Sequence, residues 1–356
     1  MSRLLSILLL LLTSCMKNDS VAPDSNTGEI LNEERSGNEG YTHITTNDSV
    51  HHIVNHPAFK GFGNYILPWD DNTYYYDTPL NNVRSLLPYH NHVDPDIVVS
   101  TINHMIDEIN DGKTIFYDFY TEQQKQKDPT KEPTGLFFFR GKPGAPFAIV
   151  CPGGGFAYVG SLHEGFPYAL ELSKKGYNAF VLKYRVGSGL KATEDLAAAI
   201  SYIFENAEMF EVGTEDYSLW GSSAGARMVG DIALNGVSGF GSRDLPKPSI
   251  VVIAYTGHTS FSENYPPAFI TVSEDDRIVN VSVVDRRVEN MRNAGIEVEY
   301  RKYKNADHGF GLGVGTDAEG WIEYAIQFWE NHLSQGVNLK LGHKPDNCRG
   351  LSACLS

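Results

Sequence analysis

From residue 114 onward, short apolar blocks alternate with segments whose apolar positions recur every three or four residues. The first pattern reads as strand and the second as amphipathic helix. The blocks are PFAIVC, NAFVLKYR, YSLWG, SIVVIAY, AFITVS and EVEYRKY. Between them, EGFPYALELSKKG, ATEDLAAAISYIFENAEMF, residues 224–234, VSVVDRRVENMRNAG and EGWIEYAIQFWENHL predict helices, two of them closed by Gly176 and Gly295. Strands without a polar face need cover on both sides. The alternation therefore predicts an α/β fold: a mostly parallel sheet with helices on both faces. Two aromatic strands, TIFYDFYT and TGLFFFRG, come first, joined by the polar EQQKQKDPTKEP as a hairpin.

Upstream the pattern changes. Residues 49–113 carry Phe59, Phe62, Tyr65, Trp69 and the run Tyr74, Tyr75, Tyr76. Within them Ile97, Val98, Ile102, Met105, Ile106 and Ile109 mark a helix that starts near Asp94 and Asp96 and ends at Gly112. This stretch is expected to be an N-terminal appendage or cap that packs on a main domain at 114–335 and helps to form its pocket. Residues 16–48 are polar and without period, the pattern of a flexible tether. Residues 336–356 form a tail.

The chain begins with Arg3, an apolar run over 4–12, then Thr13, Ser14 and Cys15. A basic start, a short apolar core and small residues make a secretory signal too short to span a bilayer. In an oxidising compartment Cys348 and Cys354 would be able to pair, leaving Cys151 single. The formal charge of −15, spread along the chain, argues against nucleic acid and anionic membrane surfaces as partners.

Chemistry enters at SLWGSSAG, residues 218–225. The motif G-x-S-x-G, here Gly221 to Gly225, is common by chance, and its placement gives it meaning. It lies between a strand and a helix, the setting that presents a serine on a sharp turn, with glycines where bulk would clash. Ser223 is the central serine, and Ser222 is its neighbour. A hydroxyl nucleophile needs a base, and the base needs an orienting carboxylate. AFITVSEDDRIV supplies Asp275 and Asp276 after one strand, and YKNADHGFG supplies His308 after the next. A developing oxyanion needs N–H donors. The Gly153, Gly154, Gly155 run after PFAIV is suited to that, and it lacks the lysine of a phosphate-binding P-loop. Tyr158, His163 and Glu164 follow it, as pocket lining or as loop packing. His51, His52, His56, His90 and His92 cluster in the appendage and are read as surface or packing rather than a metal site. No metal and no cofactor are expected.

Over residues 115–333 these motifs, in the order Ser, Asp, His, resemble the α/β-hydrolases. Within them they are most similar to the hormone-sensitive-lipase-like and acetyl-xylan-esterase-like carboxylesterases, whose pattern is H-G-G-G followed by G-x-S-x-G. The resemblance implies the α/β-hydrolase fold, with Ser223 as nucleophile, His308 as general base and acid, and Asp276 as the orienting acid. Gly154, Gly155 and the N–H of Ala224 would form the oxyanion hole. The register of VSEDD against the family's H-G-x-x-D selects Asp276 over Asp275. Pro152 stands where the family has a histidine before the glycines, so some other contact must hold that loop. Separately, LTSC resembles a bacterial lipobox, which implies lipidation at Cys15 and a membrane-anchored, extracytoplasmic protein. The expected activity is hydrolysis of short acyl esters, acetyl above all, on a small molecule or polysaccharide. The rival readings are a serine peptidase of the prolyl-oligopeptidase type, for which no propeller domain fits before residue 115, and a non-catalytic carbohydrate-binding surface lipoprotein.

Overall fold

The computed structural model describes residues 40–70 and 77–334. The leader with Cys15, most of the expected tether, the tyrosine run at 74–76 and the tail with Cys348 and Cys354 lie outside the described residues.

Eight strands form one sheet in the order β1-β2-β4-β3-β5-β6-β7-β8. They are β1 (Phe116–Tyr117), β2 (Gly135–Phe139), β3 (Pro146–Cys151), β4 (Asn178–Lys183), β5 (Gly213–Ser222), β6 (Ile250–Ala254), β7 (Ala268–Ser273) and β8 (Val298–Tyr303). From β4 to β8 every neighbouring pair is parallel, and β1 and β2 pair antiparallel at one edge. Every residue of β3, β4, β6 and β7 is buried, so both faces are covered, as the unbroken apolar runs require. The covering helices include α1 (Pro95–Asn110), α2 (Phe166–Lys174), α3 (Gly189–Glu205), α4 (Ala224–Asn235), α5 (Val281–Asn293) and α6 (Trp321–Asn331).

Two expectations change in detail. The link between β1 and β2 is not a plain hairpin loop. Thr121 caps a short helix, Glu122–Lys127, through a capping box with Gln124, and a second turn follows at Pro129–Lys131. The tether also ends earlier than residue 48. The Tyr41 N–H donates to Asn110 Oδ1 at 2.7 Å. Ile44, 5 % exposed, exchanges two 2.9 Å bonds with the Asn103 side chain on α1. The compact unit that holds the sheet begins at Gly40.

The region before β1 shares the core of the sheet: Phe59, Leu80, Ile102 and Ile106 are buried in the same cluster as Phe137 and Phe166. Lys183, buried in β4, makes a second tie. Its ammonium donates to the Leu67 carbonyl at 3.1 Å and meets Asp70 at 2.9 Å. A buried ammonium needs such partners to offset its lost hydration.

Candidate active site

The residues singled out in the sequence gather at the carboxyl ends of the parallel strands, where open α/β sheets bind ligands. Ser223 follows β5, Asp276 follows β7, His308 follows β8, and the glycine run follows β3. The turn at Ser223 is as sharp as its flanking glycines require. A Cβ on Gly225 would run into the Cys151 carbonyl, and one on Gly221 would lie 2.5 Å from the Gly225 carbonyl oxygen. Ser223 itself has φ 49° and ψ −111°, a backbone state that costs a non-glycine residue about 1–3 kcal/mol. Its N–H is tied to the Ala254 carbonyl of β6 at 2.9 Å. The surrounding strands thus over-determine the strained turn.

His308 Nε2 lies 2.9 Å from Ser223 Oγ, and His308 Nδ1 lies 2.8 Å from Asp276 Oδ2. The Asp276 side chain is fully buried, and its Oδ1 accepts the N–H groups of Ile278 and Val279 at 2.8 and 2.7 Å. Asp275 turns the other way. It accepts from Ser273 Oγ and from the Asp307 N–H. Ser222 is buried, with Oγ 3.5 Å from the Tyr168 hydroxyl. Ala224 opens α4, where the first N–H groups lack intrahelical acceptors and the helix dipole favours negative charge. Among the described residues, no protein acceptor meets the N–H of Gly154, Gly155 or Ala224. The Cys151 thiol is fully buried, which pushes its pKa well up and leaves it inert.

The contacts of three residues went unread in the sequence, all from the region before β1. Asn91 Nδ2 donates to the His308 carbonyl at 2.9 Å, and the Asn91 N–H to the Gly309 carbonyl at 3.1 Å. His90 is buried, with Nε2 3.1 Å from Glu164 and Nδ1 2.8 Å from the Tyr158 hydroxyl. Tyr89, 45 % exposed, lays its ring beside Gly155 and stacks on Tyr158 at 5.6 Å. Tyr158, His163 and Glu164 are therefore buried supports rather than open pocket lining. The N-terminal histidines scatter: His51 and His52 are exposed, while His56 is buried and bonds to the Thr42 carbonyl. Among the described residues, no group of three or more His, Cys, Asp or Glu side chains is placed to hold a metal ion. A groove of about 850 Å³ beside α3 includes none of Ser223, Asp276 and His308.

The chain is similar to known proteins over this same region. The family model described as BD-FAE matches residues 140–240. Among curated proteins, an acetylxylan esterase of Xylanibacter ruminicola is 24 % identical over 225 residues, 54 % of this chain and 46 % of that one. Endo-1,4-beta-xylanase B of Butyrivibrio fibrisolvens is 25 % identical over 229 residues, 50 % of this chain and 35 % of that one. The chain spans less than half the length of each of these relatives. Among solved structures, an acetyl ester-xyloside bifunctional hydrolase from Caldicellulosiruptor lactoaceticus superposes with a TM-score of 0.53 at 20 % identity, covering 61 % of this chain and 95 % of that one. A thermophilic esterase from Thermogutta terrifontis gives a TM-score of 0.51 at 16 % identity, covering 61 % and 93 %. Sheet order, the strand-to-helix turn at Ser223 and these likenesses together identify the chain as having the α/β-hydrolase fold.

Proposed function

We propose that this protein is a serine carboxylesterase that removes short acyl groups, acetyl above all, from a carbohydrate. The observation that carries the reading is the unbroken chain from Ser223 Oγ through the His308 ring to Asp276, with links of 2.9 and 2.8 Å. In the proposed mechanism Ser223 Oγ attacks the ester carbonyl carbon while His308 Nε2 takes its proton. The buried Asp276 carboxylate holds the imidazole and stabilises its charged form. The carbonyl oxygen becomes an oxyanion, and the N–H groups of Gly154, Gly155 and Ala224 receive it. As the tetrahedral adduct collapses, His308 returns the proton to the leaving alcohol oxygen. Water then attacks the acyl-serine, giving its proton to His308. The carboxylic acid leaves and Ser223 regains its hydrogen.

Two observations favour a sugar as the alcohol. The relatives include an acetylxylan esterase, and the exposed Tyr89 ring beside Gly155 offers a flat apolar face of the kind a pyranose ring packs on. In addition, the leader and Cys15 support a lipid-anchored, extracytoplasmic placement.

The deciding experiment measures turnover of p-nitrophenyl acetate and release of acetate from acetylated xylan, for the wild type and Ser223→Ala. Loss of both activities in a folded variant, with loss of labelling by a fluorophosphonate, is expected. Wild-type turnover that survives the substitution refutes the reading. For the anchor, membrane fractionation of cells making the wild type or Cys15→Ser is the check, and an unchanged membrane share refutes it.

A further inference from the structure

The glycine loop after β3 has no side-chain anchor of its own. Gly153, Gly154 and Gly155 bring no side chain, and Pro152 has no polar side-chain atom and no N–H. Its own backbone supplies one turn, in which the Gly154 carbonyl accepts the N–H groups of Ala157 and Tyr158, and other contacts hold the residues before it. The Pro152 carbonyl accepts from the Tyr184 hydroxyl at 2.7 Å, and the Gly153 carbonyl from the Gly160 N–H at 2.9 Å. One further tie carries a charge. The Gly153 N–H donates to Glu164 Oε2 at 2.6 Å.

Glu164 is fully enclosed. Burial alone pushes a carboxyl pKa upward, yet this one falls to about 2, because the His90 ring beside it and the hydrogen bonds it accepts outweigh burial. It is therefore a buried carboxylate at neutral pH, and each oxygen is met. Oε2 takes the Gly153 N–H and His90 Nε2, and Oε1 takes the Tyr255 hydroxyl at 2.7 Å. The contacts run in one chain: the Tyr89 N–H donates to the Tyr158 oxygen at 3.0 Å, the Tyr158 hydroxyl lies 2.8 Å from His90 Nδ1, and His90 Nε2 lies 3.1 Å from Glu164 Oε2. The fit to the serine is tight. A Cβ on Gly153 would lie 2.8 Å from Glu164 Oε2 and 3.0 Å from Ser223 Cβ. Tyr255 also packs edge-on against the His308 ring, with centroids 5.2 Å apart. The same carboxylate therefore braces the loop on one side and the histidine's neighbour on the other.

We propose that Glu164, itself held by His90 from the region before β1, is the positioning residue of the proposed oxyanion hole. By drawing the Gly153 N–H inward it leaves the next two N–H groups directed at the substrate side of Ser223. The proposal rests on the esterase reading above, and it gives the N-terminal region a part in the chemistry.

The test is steady-state turnover of p-nitrophenyl acetate by the full chain, with fluorophosphonate labelling rates and thermal melts in parallel. Glu164→Ala is expected to lower kcat about 100-fold, the scale of losing one oxyanion donor, with KM changed less than about threefold. Glu164→Gln, which keeps an acceptor for Gly153, is expected to lose about tenfold on the same scale. His90→Ala falls between them, and His90→Gln, which restores a donor toward Glu164, recovers most of the loss. Labelling slows in step with kcat. Should Glu164→Ala fail to fold, the folded Glu164→Gln variant decides. Unchanged kcat in it, or a loss confined to KM, overturns the proposal. A wild type without turnover, or a Ser223→Ala variant with it, rejects the esterase reading itself. An active wild type and an inactive Ser223→Ala beside fully active Glu164 variants rejects the positioning role alone.

Discussion

Acid should unfold this protein by a route that starts at His163. The ring is buried against the His90 ring at 5.5 Å, and Nε2 donates to the Gly309 carbonyl at 3.0 Å. Burial, reinforced by His90, lowers its pKa from 6.5 to about 4. The folded state then binds fewer protons than the unfolded chain between those values. His163 stabilises the fold fully above pH 6.5 and progressively less as the pH drops toward 4. A shift of that size is worth about 3 kcal/mol, of which about 2 kcal/mol is gone by pH 5. Against a domain stability of roughly 5–15 kcal/mol, that is a large share. Below it a second window opens. Glu164, lowered from 4.5 to about 2, contributes stability that is lost as the pH falls through that interval. The assay is urea denaturation at half-unit steps from pH 7.5 to 4, for the wild type and His163→Gln. Exposed histidines cancel in the difference between the two. The wild type should lose about 2 kcal/mol more than the variant between pH 7 and 5. Parallel curves would refute the reasoning.

Other perturbations test other links. On the proposed mechanism, Asp276→Asn should keep the fold yet lower kcat about 10⁴-fold, as loss of the carboxylate does in serine triads; a loss below tenfold in stopped-time ester assays counts against the assignment. Tyr89→Ala should raise KM for acetylated xylo-oligosaccharides several-fold more than for p-nitrophenyl acetate, since only the former has a ring to pack; equal changes remove Tyr89 from the sugar contact. Ile44→Ala should destabilise by about 2–4 kcal/mol in urea melts, because Ile44 is buried against α1 rather than free in a tether.

The strands were legible because each carries its own signal. AFITVS is apolar throughout, and it forms β7 over Ala268–Ser273 as read. The helix starting after Asp94 was equally plain, and Asp94 caps it by accepting the N–H groups of Asp96 and Ile97. The link between β1 and β2 was harder: its helix is polar, and only the capping box at Thr121 and Gln124 marks it. Residues 41–48 were misread because a single apolar residue, Ile44, docks them, and one residue has no period.

What the sequence by itself determined is the layered α/β architecture and the order in which serine, acid and histidine leave their strands. Those depend on local periodicity and on glycines placed beside one turn. The likeness of VSEDD to a family pattern already pointed to Asp276, which faces His308 in the fold, whereas only the tertiary structure decided what holds the glycine loop. Asp275 and Asp276 are neighbours, and the direction in which each side chain leaves the turn after β7 separates them. Asn91 reaches the His308 carbonyl across 217 residues of chain, and His90 reaches Tyr158 across 68. Single side chains that meet over such separations leave no pattern along the chain. Their pairing exists only once the core has closed and the cost of burying a carboxylate such as Glu164 has to be met by whatever donors the fold brings to it.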